Sequence, residues 1–333
     1  MSKRTKVAAP EGRAPKCPDA LLDAIRYFAD QDRALAFMTA VRWPDGKVAC
    51  PTCGGTEISF LSTRRLWKCK NNHPKRQFSI KIGTIMEDSP IGLDKWLPAM
   101  WFVVNCKNGI SSYELARGLR VTQATAWFML HRLRLAMQSG GIDKFSGQVE
   151  ADETFIGGKA RNMRRGKWNK IREARAKGRT HAGRAVVMGI LQRHGKVRVA
   201  HVPDIRKGTL QREITSSVVP GSEVFTDELL SYRGLDKEYV HKVINHAETY
   251  VEGNIHTNGI ENFWSLLKRT IRGTYVSVEP FHLFRYLDEQ AFRFNTRHDT
   301  DRGRFIEAIR NILGKRLTYK HLTGLDSALV TAT

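Results

Sequence analysis

Asp152, Asp227 and Glu261 are separated by 75 and 34 residues (227 − 152 and 261 − 227), and each stands at a structured point of the chain. Asp152 lies inside "GQVEADETFIG", Asp227 ends the apolar run "SEVFTD", and Glu261 opens the helical pattern "NGIENFWSLLKR". Two aspartates on neighbouring strands and a glutamate on a helix packed over them can converge on one point. Left alone, three such acids would repel and raise one another's pKa; divalent cations remove that penalty. Two Mg²⁺ (or Mn²⁺) ions roughly 3.5 to 4 Å apart would activate a water or a 3′-hydroxyl and stabilise the leaving oxygen of a phosphodiester. Lys268 follows Glu261 by seven residues, about 10.5 Å along one helix face, where it could meet a phosphate or simply be solvated.

Each acid also has a plainer reading. Glu261 could be the N3 partner of an Asn258 capping box, Asp227 could cap a turn, and Asp152 could pair with an arginine. Trp264, one turn beyond Glu261, is either core or a base-stacking platform. Within the first strand, Glu150, Asp152 and Thr154 share one face, while Val149, Ala151, Glu153 and Phe155 share the other. Asp152 is expected to face the metal, with Glu150 beside it as a substitute, and Glu153 is expected to pair with a basic residue on the opposite side.

A second group is Cys50, Cys53, Cys69 and His73, spaced C-x2-C, fifteen residues, then C-x3-H. Four soft ligands in two close pairs suit a closed tetrahedral Zn²⁺ site, structural because no coordination position stays open. Cys106 lies in an apolar helical pattern as a core thiol, and Cys17 sits near the amino-terminal tail. Five cysteines with this spacing fit a reducing compartment better than a disulfide framework.

Charge narrows the partner. Fifty-five basic against 33 acidic residues give +22, an excess that attracts polyanions, and nucleic acid is the usual one. No uninterrupted apolar run reaches the roughly 18 residues of a membrane span, and the start lacks the apolar core of a signal peptide. The chain is therefore expected to be cytoplasmic, with no membrane partner.

The elements that must position these groups can be read from periodicity. Residues 18–40 carry apolar side chains at helical spacing and stop before "RWPDG". A helix is predicted from near Ser89-Pro90, with Pro98 as a break or bend. Residues 111–137 divide into two helical patterns around "RGLRVT", with Ala116, Leu119, Val121 and Ala126 at the crossing and Thr122 as a cap; either a helix-turn-helix or an ordinary helical hairpin gives this pattern. From residue 148 three strand patterns, a helix near 208–218, two more strands and helices at about 258–271 and 281–296 predict a mixed α/β sheet covered by helices. Residues 159–184 hold eleven Lys or Arg against one Glu and read as a solvated, disordered insertion able to order on DNA.

Taken together, "RWPDGKVACPTCGG", "WKC", "IGTIMEDSPIGLDKW", "GISSYELARGL", "TAWFMLHRLRLAM", "VEADETFIGGK", "VFTDELLSY" and "HTNGIENFWSLLKR" resemble, in that order, bacterial insertion-sequence transposases with a zinc ribbon and a DDE domain of ribonuclease H-like fold. The resemblance covers roughly residues 40–300. It implies that Asp152, Asp227 and Glu261 are the DDE triad and Lys268 the basic residue two turns on. It also implies Mg²⁺-dependent cleavage at terminal inverted repeats, strand transfer into target DNA by the freed 3′-hydroxyl, at least a homodimer on DNA, and a bacterial, nucleoid-associated location. Part of this group has Asn at the third catalytic position, which keeps Asn258 and Asn262 in view; His246 and His256 flank the site and could position DNA. His73 departs from a four-cysteine ribbon, a ligand that zinc accepts readily.

The expected organisation is a disordered basic tail (1–17), a helical segment (18–45), a zinc ribbon (46–88), a helical DNA-binding region with a helix-turn-helix (89–140), a ribonuclease H-like catalytic domain (147–300) and a carboxy-terminal helix and tail (301–333). The rival to a transposase is a transposase-derived DNA-binding protein without catalysis.

Overall fold

The computed structural model describes residues 17–138, 141, 143–157, 163–177, 182–244, 257–276 and 278–325. The chain forms two compact units, Met1–Met137 with Asp299–Thr333, and Gln138–His298.

In the first unit, helices α1 (Leu21–Ala29) and α2 (Gln31–Arg42) meet at Asp30, whose carboxylate accepts the amide N–H groups of Asp32 and Arg33 and so starts α2. Cys17, placed in the expected tail, is buried, and the rest of that tail lies outside the described residues. Short antiparallel strands β1 (Ile58–Leu61), β2 (Leu66–Cys69) and β3 (Gln77–Phe78) follow, with Trp67 buried against Trp43, Phe60 and Phe78. Helix α3 runs unbroken from Leu93 to Asn105 through Pro98, starting later than predicted, with Gly92 as N-cap. Proline costs α3 one backbone bond in its second turn, and a helix that buries Trp96, Leu97, Met100, Trp101, Val103 and Val104 withstands that loss. Cys106 is the half-buried C-cap of α3 rather than a thiol inside it.

Helices α4 (Ser112–Leu119) and α5 (Gln123–Met137) are joined by a tight turn. A Ser111–Glu114 capping box starts α4, Arg120 takes a left-handed conformation (φ 50°) that ends it, and Thr122 accepts the Thr125 N–H at 3.2 Å to start α5. Ala116 and Ala126 are buried at the crossing. After the second unit, α10 (Asp301–Arg310) returns to the first and buries Phe305 against Phe28, Phe37 and Trp101; α11 (Tyr319–Leu322) closes it.

The second unit is a five-stranded mixed sheet in the order β6-β5-β4-β7-β8. Strands β4 (Gln148–Ile156), β5 (Ala185–Gln192) and β6 (Val197–Val202) are antiparallel, whereas β7 (Glu223–Asp227) and β8 (Val240–Ile244) run parallel to β4. This arrangement is compatible with the expected ribonuclease H-like sheet. Alternation sorts the side chains as the sequence predicts: Val149, Ala151, Met188 and Ile190 pack under α7 (Lys207–Ser217), while Val187, Leu191 and Ile156 pack against α8 (Asn258–Thr270) and α9 (Leu283–Asn295).

The insertion at 159–184 is not wholly a solvated loop. It contains α6 (Arg165–Ala176), which buries Ile171 and lays the Arg175 guanidinium 5.8 Å from the centre of the Trp168 ring. Trp168, Ile171 and Arg175 lie at helical spacing, an anchor that the density of charge concealed. Among the described residues no helix is long and apolar enough to cross a membrane.

Candidate active site

The central strand brings the first acid to the middle of the sheet. The β4–β7 pairing has an offset of 75 (Gln148 to Glu223, 223 − 148), which is also the spacing of Asp152 and Asp227 (227 − 152), so the two aspartates hold matched positions on adjacent parallel strands just beyond the last paired residues. Glu261 comes from the first turn of α8, over the same face of β4.

Helix α8 is seated by unusually close contacts. Gly189 is the cross-strand partner of Asp152, and a Cβ there would sit 2.6 Å from the Trp264 ring. The indole thus lies against bare backbone and donates its N–H to Asp152 Oδ2 at 2.8 Å. Gly259 lets the start of α8 approach similarly: its Cβ would meet Leu191 at 2.5 Å and Glu150 at 2.8 Å. Trp264 is therefore both core and a partner of the candidate catalytic acid.

Glu150 shares the face of Asp152 but is committed elsewhere. Its buried carboxylate accepts the Arg193 guanidinium N–H at 2.9 Å and the Ile260 backbone N–H at 2.9 Å, capping α8 from the sheet. Asn258 is not the N-cap; Thr257 is, and α8 has no side-chain cap of its own. Removing one partner of a buried, hydrogen-bonded ion pair leaves the other charge uncompensated, so Glu150→Ala is expected to destabilise the chain by about 3–5 kcal/mol. Urea denaturation measures it; a loss below about 1 kcal/mol would show that the clamp contributes little.

Glu153, on the opposite face, accepts a hydrogen bond from the buried Tyr232 hydroxyl at 2.7 Å rather than pairing with a base as expected. Among the described residues no basic side chain pairs with it, because that face of the sheet is filled by Tyr232, Leu235 and the apolar side of α7. Thr257 donates to Glu261 at 3.3 Å, and Asp227 accepts the Leu229 N–H at 3.2 Å, so Asp227 does cap a turn as well as face the cluster.

The acids perturb one another. Burial pushes the Asp152 carboxyl from 3.8 up to about 6; the Trp264 N–H opposes this, and the charges of Asp227 and Glu261 add to it. Burial likewise raises Glu153 from 4.5 to about 7, opposed by the Tyr232 hydroxyl and reinforced by Asp227 and Asp152. Both groups hold their protons more tightly folded than unfolded, so their contribution to stability is fully present below their ordinary values and is lost as pH rises through the raised ones. With no added divalent cation, the stability of Asp152→Asn relative to the unsubstituted chain is expected to grow as pH rises from 3.8 to about 6 and to level off above. Calorimetry across that range checks it, and a gap independent of pH would contradict a carboxyl raised chiefly by burial.

A cleft of roughly 750 Å³ opens beside the cluster, lined by the acids Asp152, Glu153 and Glu261 and by the bases Lys268, Arg269 and Arg272. The acids supply hard oxygen donors for a divalent cation and the bases, near the carboxy end of α8, suit a phosphate. Arg272 was missed in the sequence, though it follows Lys268 by four residues and the spacing could have disclosed it. His246 and His256 lie outside the described residues.

The other predicted group is also assembled. Ligand atoms of Cys50, Cys53, Cys69 and His73 lie within 4.8 Å of one another. Cys53 Sγ and Cys69 Sγ are 3.7 Å apart, close to the edge of about 3.8 Å expected for a tetrahedron with Zn–S arms of about 2.3 Å. His73 Nδ1 is 2.6 Å from the Pro74 carbonyl oxygen, which as an acceptor fixes the proton there and leaves Nε2, 3.5 Å from Cys50 Sγ, free to ligate. The donor set and its geometry fit a structural zinc.

Comparison with known proteins identifies the domains that carry the two groups. Residues 144–295 match the ISXO2-like transposase domain, and residues 29–71 match the transposase zinc-ribbon domain. An uncharacterized transposase-like protein of Haemophilus influenzae is 38% identical over 101 residues, 30% of this chain and 81% of that protein. The chain belongs to the insertion-sequence transposases. An uncharacterized protein in the transposable element ISH50 of Halobacterium salinarum is 25% identical to this transposase over 299 residues, 87% of the chain and 98% of that protein. No solved structure matches. The zinc-ribbon match ends at residue 71, two residues before His73, so the fourth ligand of the transposase rests on the geometry.

Proposed function

We propose that this transposase cleaves DNA at the terminal inverted repeats of its element and joins the freed 3′-hydroxyl to target DNA, with Asp152, Asp227 and Glu261 as ligands of Mg²⁺ or Mn²⁺. The observation that carries the proposal is the matched placement of Asp152 and Asp227 on adjacent parallel strands, with Glu261 on the helix above them and the charges of Asp227 and Glu261 close enough to act on Asp152. When bound, two such ions activate the attacking oxygen and neutralise charge on the leaving one.

The chain's own residues do the positioning. Trp264 holds one oxygen of Asp152 and so orients the other. Glu150 anchors the start of α8 and with it Glu261. Lys268 and Arg272, which line the same cleft, are available to bind the phosphate being cut or its neighbour.

Recognition is assigned to the zinc ribbon and to α4 and α5 as a helix-turn-helix. Helix α5 is largely buried from Met129 onward, so only its first turns, beside Arg117 and Arg120, remain open to a groove, as in recognition helices that read bases with their amino ends. Working on two DNA ends requires at least a dimer.

The test is a cleavage assay on the element's end sequences with Mg²⁺, with Mn²⁺ and with no divalent ion, using Asp152→Ala, Asp227→Ala and Glu261→Ala. Loss of cutting in each variant, with DNA binding retained, is expected. Full activity in all three would sink the metal assignment, and binding without cutting in the unsubstituted chain would favour a DNA-binding regulator.

A further inference from the structure

A second pocket, of roughly 570 Å³, adjoins the cleft and shares Lys268 and Arg272 with it. Its chemistry differs. The cleft is lined by three carboxylates, whereas no carboxylate lines this pocket among the described residues. Its floor is apolar, including Phe155, Met163 and Val276, with Trp168 of α6 in the wall and Arg175 and Arg184 adding to the shared cations. A metal ion would find no hard anionic donor there, and the volume is too small for a duplex. A flat, weakly polar ring joined to an anion fits both parts of the lining.

Two further observations mark the same place. The α8 helix does not end simply: residues Ile271–Tyr275 form a π-helical turn, a form often found at functional sites, and Val276 follows with φ 62° and ψ −51°. A β-branched residue at positive φ is a genuine outlier that surrounding structure must enforce. The turn and the strained residue bring Ile271, Arg272 and Val276 into the pocket lining. Trp168 is half-buried, its ring steered by the Arg175 guanidinium, which also donates to the Ala182 carbonyl oxygen at 3.3 Å.

We propose that this pocket receives one unstacked nucleobase of the DNA strand held at the acidic cluster, stacked on Trp168, with an adjoining phosphate on Arg272 and Lys268. That the neighbouring phosphate is the one being cut rests on the function proposed above; the pocket's preference for a base does not. Removing a base from its duplex stack costs free energy, and stacking on an aromatic ring returns much of it. The basic insertion would then hold a strand end rather than merely attract the double helix.

The test uses the full chain, a duplex ending in a short single-stranded tail, and the same duplex with one tail nucleotide made abasic, the abasic site being moved along the tail. For the unsubstituted chain, affinity is expected to fall about ten-fold at one tail position. Trp168→Ala should bind the intact tail about ten-fold more weakly, be indifferent to the abasic site, and bind blunt duplex as before. Trp168→Phe, which keeps an aromatic face, should retain the position-specific penalty. The proposal is overturned if no tail position shows a penalty, if Trp168→Ala keeps it, or if Trp168→Phe loses it. Asp152→Asn should keep the penalty while losing cleavage; if instead it cuts normally, the proposed catalytic assignment falls and the base pocket stands.

Discussion

Asp152→Asn is expected to lower DNA cleavage by about 10³-fold or more while making the metal-free chain more stable near neutral pH by about 1–3 kcal/mol. The two effects have one origin. At neutral pH the carboxylate is largely withdrawn from water, flanked by Asp227 and Glu261, and held by the Trp264 indole N–H and the Glu153 backbone. Asparagine keeps an oxygen for the indole N–H and removes the charge that burial and repulsion oppose, so the fold relaxes. The same charge is what a divalent cation needs, so catalysis is lost. A purely structural Asp152 would behave differently: its replacement would leave cutting intact or lower both quantities together. Thermal melts beside single-turnover cleavage separate the cases.

Removing zinc should have the other large effect. Strands β1, β2 and β3 have four, four and two residues, too little sheet to hold itself together, and their apolar support is the small cluster around Trp67. Structural zinc sites contribute folding free energy outright, about 10–16 kcal/mol of binding in small zinc-dependent peptides. Chelation, or Cys69→Ser, is therefore expected to unfold the ribbon, shifting the tryptophan fluorescence of Trp43 and Trp67, while the Gln138–His298 unit keeps its own melting transition. Metal analysis should give one zinc per chain. A metal-free chain with unchanged fluorescence and melting would refute a structural site.

Much of this was legible in the residues. Alternation in "QVEADETFIGG" separated the two faces of β4 correctly because a central strand is packed on both sides and its pattern is enforced by both cores. The strand and helix order of the second unit followed from periodicity, and the four zinc ligands from spacing alone. What was not legible depends on contacts between distant segments. Nothing near Glu150 in sequence announces Arg193 or the start of α8; nothing near Gly189 announces the ring that needs its missing side chain. Pro98 looked like a break because its local cost is visible and the burial that outweighs it is not. In α6, charge hid three anchoring residues in plain view, and Glu153 found a phenol where the composition promised a base.

The cap on α8 has a consequence for how the chain is made. The helix that carries Glu261 has no side-chain cap of its own, and its buried start is satisfied by Glu150, 110 residues earlier in the chain. Helix formation alone thus cannot place the third acid; strand β4 must already be seated in its sheet. A growing or half-folded polypeptide, however strongly its basic segments hold to DNA, lacks the proposed cutting centre until this contact, 110 residues apart in sequence, closes. A chain with the cutting activity proposed above would stay unarmed until that contact has formed.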